Sequence, residues 1–373
     1  MGSNRYKKVV QDMLAQADVQ IGGNRPWDIK VFNEDLYKRA IGHGSKGLGE
    51  AYTDGWWDSP KLDEFFFKVL DAGLREKIKF NWTTIKVYLT AQLFNLQTIG
   101  GSKKVVKLHY DLSTELYLSF LDEYNQYTCG YFKDTNDLNI AQQQKLQLIC
   151  DKLQLKKEDR VLDIGCGWGG FAKFASERFE CNVTGITISK EQATYAREFT
   201  KGLPVTIKEM DYRSLDGEYD KILICGMIEH VGYKNYERIF KIVKKVLSEK
   251  GLFLLHTIGN NEDTVAIDPW IEKYIFPNSV VPSLKQIINA STGLFVLEDL
   301  HNFGKYYDHT LMAWFKNFDT NWPKLKVQYG ERFYRMWKYY LLSCAGLFRA
   351  RQAQLWQMVF SKNGILEGYK SAR

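Results

Sequence analysis

The rhythm of apolar and polar positions changes near residue 150. Before it, apolar residues recur three or four apart, as helices require, with aromatic clusters at DGWWDSP and LDEFFFKVL. LREKIKFNWTTIKVYLTAQLFNLQ keeps that rhythm with lysines interleaved, which predicts an amphipathic helical stretch over about 74–97. TIGGSKKVVK, with its glycines, serine and short basic cluster, predicts a linker. Beyond it, short apolar and β-branched runs predict strands at RVLDIG, CNVTGITI, PVTIKEM, KILICGMI and GLFLLHTI. GFAKFASERF, KEQATYAREF and NYERIFKIVKKVL predict helices between them. Strands alternating with helices imply a parallel sheet with right-handed crossovers. LWQMVFS predicts a last strand among further helices, and DPWIEKYIFPN an aperiodic insertion suited to a lid. The expected organisation is a smaller, mainly helical domain over 1–100 and an α/β domain over 101–373.

Composition narrows this picture only a little. The chain of 373 residues is 45% hydrophobic and 25% charged, as globular proteins are, but 14% aromatic, which is high. A net charge of +7 suits an acidic partner, nucleic acid or an anionic membrane surface, and decides neither. Cysteines stand at 129, 150, 166, 181, 225 and 344, with no C-x2-C pair, so no metal site is expected. MGSNRYKK has no apolar core of a secretory signal, which predicts a cytoplasmic protein with free thiols. No run reaches the roughly 18 apolar residues of a membrane span, so membrane contact is expected to be peripheral.

The chemistry starts at VLDIGCGWGG, where Gly165, Gly167, Gly169 and Gly170 link a strand to a helix. Such a turn lets backbone approach a ligand closely. Gly165, Gly167 and Gly170 also satisfy the dinucleotide pattern G-x-G-x-x-G. Two features oppose that reading. Asp163 puts a carboxylate where a pyrophosphate would lie, and the second strand ends in Thr187, where a ribose-binding acid is expected. A sulfonium cation without phosphates tolerates Asp163, so the pattern favours S-adenosylmethionine. Thr187 and Gln192 would then offer neutral hydrogen bonds to the adenosine. Asp211, with Tyr212 beside it in MDYR, would accept from the adenine amino group. The plain alternatives are a tight turn without a ligand and an ordinary turn aspartate.

VLDIGCGWGGF, TGITISKEQ, GMIEHVGYKNY, LLHTIG, DPWIEKYIFPN and YDHTLMAWF closely resemble the bacterial cyclopropane-fatty-acyl-phospholipid synthases. The resemblance extends to GSKGLGEAYTDGWWD near the front and HYDLSTELYLSFLD at the expected domain junction. The mycolic acid cyclopropane synthases are similar but shorter, beginning near HYDLS, so the front domain points to the phospholipid branch. The fold implied is that of a class I S-adenosylmethionine-dependent methyltransferase, Rossmann-like, with a seven-stranded, mostly parallel sheet. The activity implied is transfer of a methylene group to the cis double bond of unsaturated acyl chains in membrane phospholipids.

That resemblance also implies roles. The base is a bound bicarbonate, held by Cys129, Glu229, His256, the backbone of Ile258, and Tyr307. Tyr127 and Thr128 would close over the methionine part of the cofactor, and Gly165 and Gly167 would underlie it. Tyr110 is a weaker candidate. Strand-end positions fit an anion site, because ligands of open parallel sheets bind beyond the carboxyl ends of strands. Glu229 follows the fourth strand and His256 ends the fifth, so the two can converge on one small anion. A carboxylate repels an anion unless a proton lies between them. The duller readings are a core histidine at 256, a helix cap at 229 and a small buried hydrophobe at 129. Position 132 is Phe where some relatives carry Trp. The relatives imply a homodimer. The amphipathic pattern of 74–97, with Lys103, Lys104 and Lys107, suits peripheral docking on the inner face of the cell membrane. The plain alternative is that the apolar stripe is the domain's own core and the lysines its solvated face. No nucleic acid partner is expected. Two rivals remain at this stage: a small-molecule amine methyltransferase, and a membrane-binding module that senses S-adenosylmethionine.

Overall fold

The computed structural model describes residues 3–74, 113–263 and 265–373. The lysine-bearing stretch beyond Leu74, Lys103, Lys104, Lys107 and Tyr110 lies outside the described residues. The chain packs as two compact units, and their boundary is not a single cut near residue 100. The first unit joins the front of the chain to two later segments, Val265–Pro277 and Tyr307–Ala353. The second takes the middle of the chain with Asn278–Tyr306 and Gln354–Arg373.

Side-chain packing explains why the later segments belong to the first unit. DPWIEKY is a short helix, Pro269–Tyr274, rather than aperiodic chain: Asp268 accepts from the backbone amides of Trp270 and Ile271, and Pro269 opens the first turn. Trp270 is fully buried, and a Cβ on Gly49 would lie 2.5 Å from its ring. The segment is therefore core, which the sequence pattern had suggested as a lid. Arg335, in the long helical run Lys305–Arg349, donates to the carbonyls of Tyr52 at 2.7 Å and Trp57 at 2.8 Å. It also bonds the Asp58 carboxylate at 2.9 Å. Tyr339 of the same run meets Trp270 at 4.4 Å and Phe66 at 5.1 Å between ring centroids.

A two-stranded ribbon in the first unit supplies β1 (Lys30–Val31) and β2 (Trp57–Asp58). The second unit is built on seven strands: β3 (Arg160–Ile164), β4 (Asn182–Thr187), β5 (Val205–Glu209), β6 (Tyr219–Cys225), β7 (Leu247–Gly259), β8 (Val296–Asn302) and β9 (Gln354–Ser361). Their order is β5-β4-β3-β6-β7-β9-β8. β5 to β7 run parallel, and β9 pairs antiparallel with both β7 and β8. This is the expected seven-stranded, mostly parallel sheet. The first five strands and β9 fall where apolar runs predicted them, and all eight residues of β9 are buried. The chain leaves β3 toward β4 and later returns on the other side through β6. That reversal beside β3 is where open α/β sheets bind ligands.

Candidate active site

The glycine turn lies at that reversal. β3 ends at Ile164, and the helix Gly170–Phe179 starts after the turn. Gly165 and Gly167 both take positive φ, +85° and +53°, and nothing stands within 4 Å of the place a Gly167 Cβ would occupy. Gly170 is required for another reason: its Cβ would sit 1.7 Å from the carbonyl oxygen of Tyr124. Trp168, in the same turn, is buried, and its Nε1 has no hydrogen-bond partner among the described residues. A cradle with open space and an unused donor fits a ligand carrying hydrogen-bond acceptors.

Thr187 closes β4, and its hydroxyl donates to Gln192 Oε1 at 2.9 Å. Gln192 opens the next helix, Lys190–Phe199, capped by Ser189. Thr187 and Gln192 are thus brought together, with the amide Nε2 of Gln192 left for a ligand. Asp211 follows β5 and is engaged locally: Oδ1 accepts from the Arg213 amide at 2.9 Å and Oδ2 from its guanidinium at 2.8 Å. An ionised carboxylate has lone pairs to spare for a further donor. Tyr212 is buried in a hydrophobic cluster with Ile186 and Leu215, and the Arg213 guanidinium lies 4.8 Å from its ring centroid.

The polar groups expected to hold an anion come from strand ends. Cys225 of β6 is in register with His256 of β7, and the Gly226 amide donates to the His256 carbonyl at 2.9 Å. Glu229, on the turn after β6, accepts from the Ile258 amide through Oε1 at 2.8 Å. Glu229 and Ile258 are therefore joined to each other. Gln357 Nε2 lies 3.3 Å from His256 Nδ1. With Gln357 as donor, Nδ1 accepts and the imidazole carries its hydrogen on Nε2. Among the described residues, Glu229 Oε2, His256 Nε2 and Gln357 Oε1 are then buried without a hydrogen-bond partner. Burial raises the Glu229 carboxyl above its usual range and pushes His256 well below its own. A neutral His256 presents one hydrogen, and Glu229 presents a second whenever its carboxyl is protonated, a pair that suits a small anion. Cys129 is fully buried, next to Thr128, whose hydroxyl oxygen lies 3.8 Å from Cys225 Sγ. Tyr307 belongs to the first unit, where its ring stacks on Phe348 at 4.4 Å. Its neighbour Tyr306 belongs to the second and meets Tyr131 at 5.5 Å.

The model of the mycolic acid cyclopropane synthetase family matches residues 100–358. A cyclopropane-fatty-acyl-phospholipid synthase of Escherichia coli K12 is 48% identical over 370 residues, covering 99% of this chain and 97% of its own. The chain belongs to the cyclopropane synthase family. It is an enzyme of that family, and solved members share its fold. The crystal structure of mycolic acid cyclopropane synthase CmaA1, complexed with SAH and CTAB, is 28% identical with a TM-score of 0.65. The match covers 70% of this chain and 98% of that one. Coclaurine N-methyltransferase, 20% identical with a TM-score of 0.67 over 84% of this chain and 98% of its own, shares the fold.

Membership of a cyclopropane synthase family gives the polar groups behind the site a context, and several were not picked out from sequence. Asp122, Gln126, Gln142 and Lys145 are polar groups packed behind Tyr127 and Thr128. Gln142 and Lys145 lie in the helix Leu138–Leu153, both fully buried. A helical projection offers the signal that finds them: Ala141, Lys145, Ile149 and Lys152 fall on one stripe, so both lysines share a face with core residues.

Proposed function

We propose that this enzyme transfers a methylene group from S-adenosylmethionine to the cis double bond of unsaturated acyl chains in membrane phospholipids, forming a cyclopropane ring. The reading is supported by near-full-length similarity to an enzyme of that name and carried by one observation. Among the described residues, Glu229 Oε2 and His256 Nε2 lie buried without a hydrogen-bond partner at adjacent strand ends. When bound, S-adenosylmethionine supplies an electrophilic methyl group and bicarbonate supplies a proton acceptor. The alkene π pair bonds to the methyl carbon as the sulfur–methyl bond breaks onto sulfur. Positive charge is left on the second alkene carbon. That transfer leaves S-adenosylhomocysteine. A proton then leaves the transferred methyl for the bicarbonate, and the freed C–H electron pair closes the ring onto the cationic carbon.

The chain's own residues serve this chemistry in distinct ways. Asp163 offers a carboxylate toward the cation side of the cofactor, and the cradle of Gly165 and Gly167 leaves room for its methionine part. Thr187, Gln192, Asp211 and Tyr212 take the nucleoside end; Tyr127 and Thr128 close the other. Glu229 and His256 direct hydrogens at the anion, and the Ile258 amide fixes the Glu229 carboxyl so that Oε2 faces it. Cys129 completes the set within this unit in this reading. Among the described residues no helix is long and apolar enough to cross a membrane. Peripheral docking on the inner face of the cell membrane, as a homodimer, is the arrangement we propose.

The test is direct. Purified enzyme is incubated with S-adenosylmethionine and vesicles of unsaturated anionic phospholipid, and the lipids are weighed by mass spectrometry. A gain of one methylene with matching S-adenosylhomocysteine is expected. Methylation of added soluble amines with unchanged lipids would replace this reading by an amine methyltransferase. No S-adenosylhomocysteine under either condition would leave a sensor.

A further inference from the structure

Lys145 has no exposed surface; burial lowers its ammonium from the usual lysine range, and Cys225, Asp122, Cys129 and Asp163 oppose that fall. Its ammonium donates to the Gln126 side-chain oxygen and to Thr128 Oγ1, the latter at 3.0 Å. One turn earlier, Gln142 Nε2 donates to the Thr128 carbonyl at 2.8 Å. Gln126 is held from its other side, its amide donating to Asp122 Oδ1 at 2.7 Å. The loop carrying Tyr127, Thr128 and Cys129 is thus pinned from behind to one helix face. The Tyr131 amide extends the attachment by donating to the Ala141 carbonyl at 2.9 Å.

The charges around Lys145 come from four other elements. Asp122 precedes the loop and Cys129 lies on it, Asp163 is the last but one residue of β3, Cys225 ends β6, and His256 lies on β7; all interact with it electrostatically. Burial pushes Asp163 up to about 7 and Asp122 up to about 6, and in both the Lys145 cation works against that rise. A buried ammonium without carboxylates would be costly, and so would two buried carboxylates without it.

We propose that Lys145 is a positioning residue for S-adenosylmethionine: its side chain clamps the Gln126–Cys129 loop that closes over the cofactor and sets its amino group within electrostatic reach of Asp163, the carboxylate assigned above to the sulfonium. The inference rests on the glycine turn being the cofactor site. It separates two duties that a simple packing residue would not have. Lys145→Met loses both the hydrogen bonds and the charge. Lys145→Arg keeps the charge with altered bonds. Gln126→Met removes one hydrogen-bond acceptor and leaves the charge.

The experiment measures S-adenosylmethionine binding by calorimetry and KM and kcat across pH on the full chain. In Lys145→Met, KM for S-adenosylmethionine is expected to rise at least about tenfold, more than kcat falls. Loss of the cation raises the Asp163 pKa, so the acidic limb of the affinity profile should move up by about one pH unit. Lys145→Arg should keep the limb where the unaltered enzyme has it. Gln126→Met should weaken binding a few-fold with no movement of the limb. A folded Lys145→Met with unaltered KM and pH profile overturns the proposal, as does a limb that moves equally in Lys145→Arg. If Lys145→Met does not fold, unchanged binding in Gln126→Met overturns it instead. Failure of the unaltered enzyme to bind S-adenosylmethionine would strike the cofactor reading, a separate outcome.

Discussion

A single carboxyl group illustrates how local placement decides chemistry. Glu229 has one oxygen committed to the Ile258 amide and one uncommitted, and burial favours its neutral form. Glu229→Gln keeps an oxygen for Ile258 but puts an amide where the exchangeable proton stood. Cofactor affinity measured by calorimetry should stay within about twofold, because the residue lies outside the glycine cradle. Turnover should fall by about 10²–10³-fold, the range of a lost proton-handling group. Unchanged turnover would remove Glu229 from the reaction. The same variant carries a stability consequence with a definite sign. The folded Glu229 pKa is raised, so the folded state holds its proton where the unfolded chain has released it. Stability is fully present below the usual carboxyl range and is lost as pH rises toward the raised value. Glu229→Gln has no such loss. Its Tm relative to the unaltered enzyme should therefore climb with pH through that window, which a melting series across pH reads directly.

At the scale of elements, the sheet was readable and its far edge was not. β3, β4, β6, β7 and β9 carry the apolar runs that burial inside the sheet imposes, whereas β5, VTIKE at the opposite edge, was found by its β-branched residues with only Ile207 buried. β8 was missed because VLEDLHN is an edge strand with Glu298, Asp299, His301 and Asn302 in it, and an edge has no need of an apolar run. Of the anion set, Glu229, His256 and Ile258 were legible as strand-end residues. That Glu229 would bond to Ile258 was not, since no local pattern reports a pairing across 29 positions. Lys145 and Lys152 look like ordinary solvated lysines when read one by one, because their carboxylates are distant in sequence. Lys152 is the clearer case: its ammonium meets Asp299 of β8 at 2.9 Å, both buried, and Arg373 adds bonds at 2.8 Å and 2.6 Å. This pair fastens the helix Leu138–Leu153 to the edge strand. Asp299→Ala strands a buried ammonium and should cost about 3–5 kcal/mol in urea unfolding. Converting both partners, Lys152→Met with Asp299→Leu, should cost clearly less, because no charge is left alone. Equal losses in the single and double variants would show that the pair's charge is immaterial to stability.

At the scale of the whole molecule, the expected boundary near residue 100 meets a unit assembled from three pieces of chain. A linear cut is the natural reading of a glycine- and serine-bearing linker, and no sequence pattern announces that a segment two hundred residues later packs against the front. The interior of the first unit says otherwise. Trp270 and Tyr339 come from the later segments, whereas Gly49, Tyr52 and Phe66 come from the front, and these side chains touch one another. The Arg349 guanidinium bonds both Asp308 and Glu64, and Gly346 admits no side chain because the Asp63 carbonyl would lie 2.7 Å from its Cβ. Expressing 101–373 alone would uncover those faces, at on the order of 2–3 kcal/mol for each large apolar side chain returned to water. It would also leave Arg335 and Arg349 without their front partners. Several such losses equal the whole stability of an ordinary domain. The truncated chain should therefore aggregate or melt without cooperativity, as calorimetry and gel filtration would show. A soluble 101–373 that melts sharply and binds S-adenosylmethionine with the affinity of the full chain would overturn this, and would mean that the later segments can close on themselves.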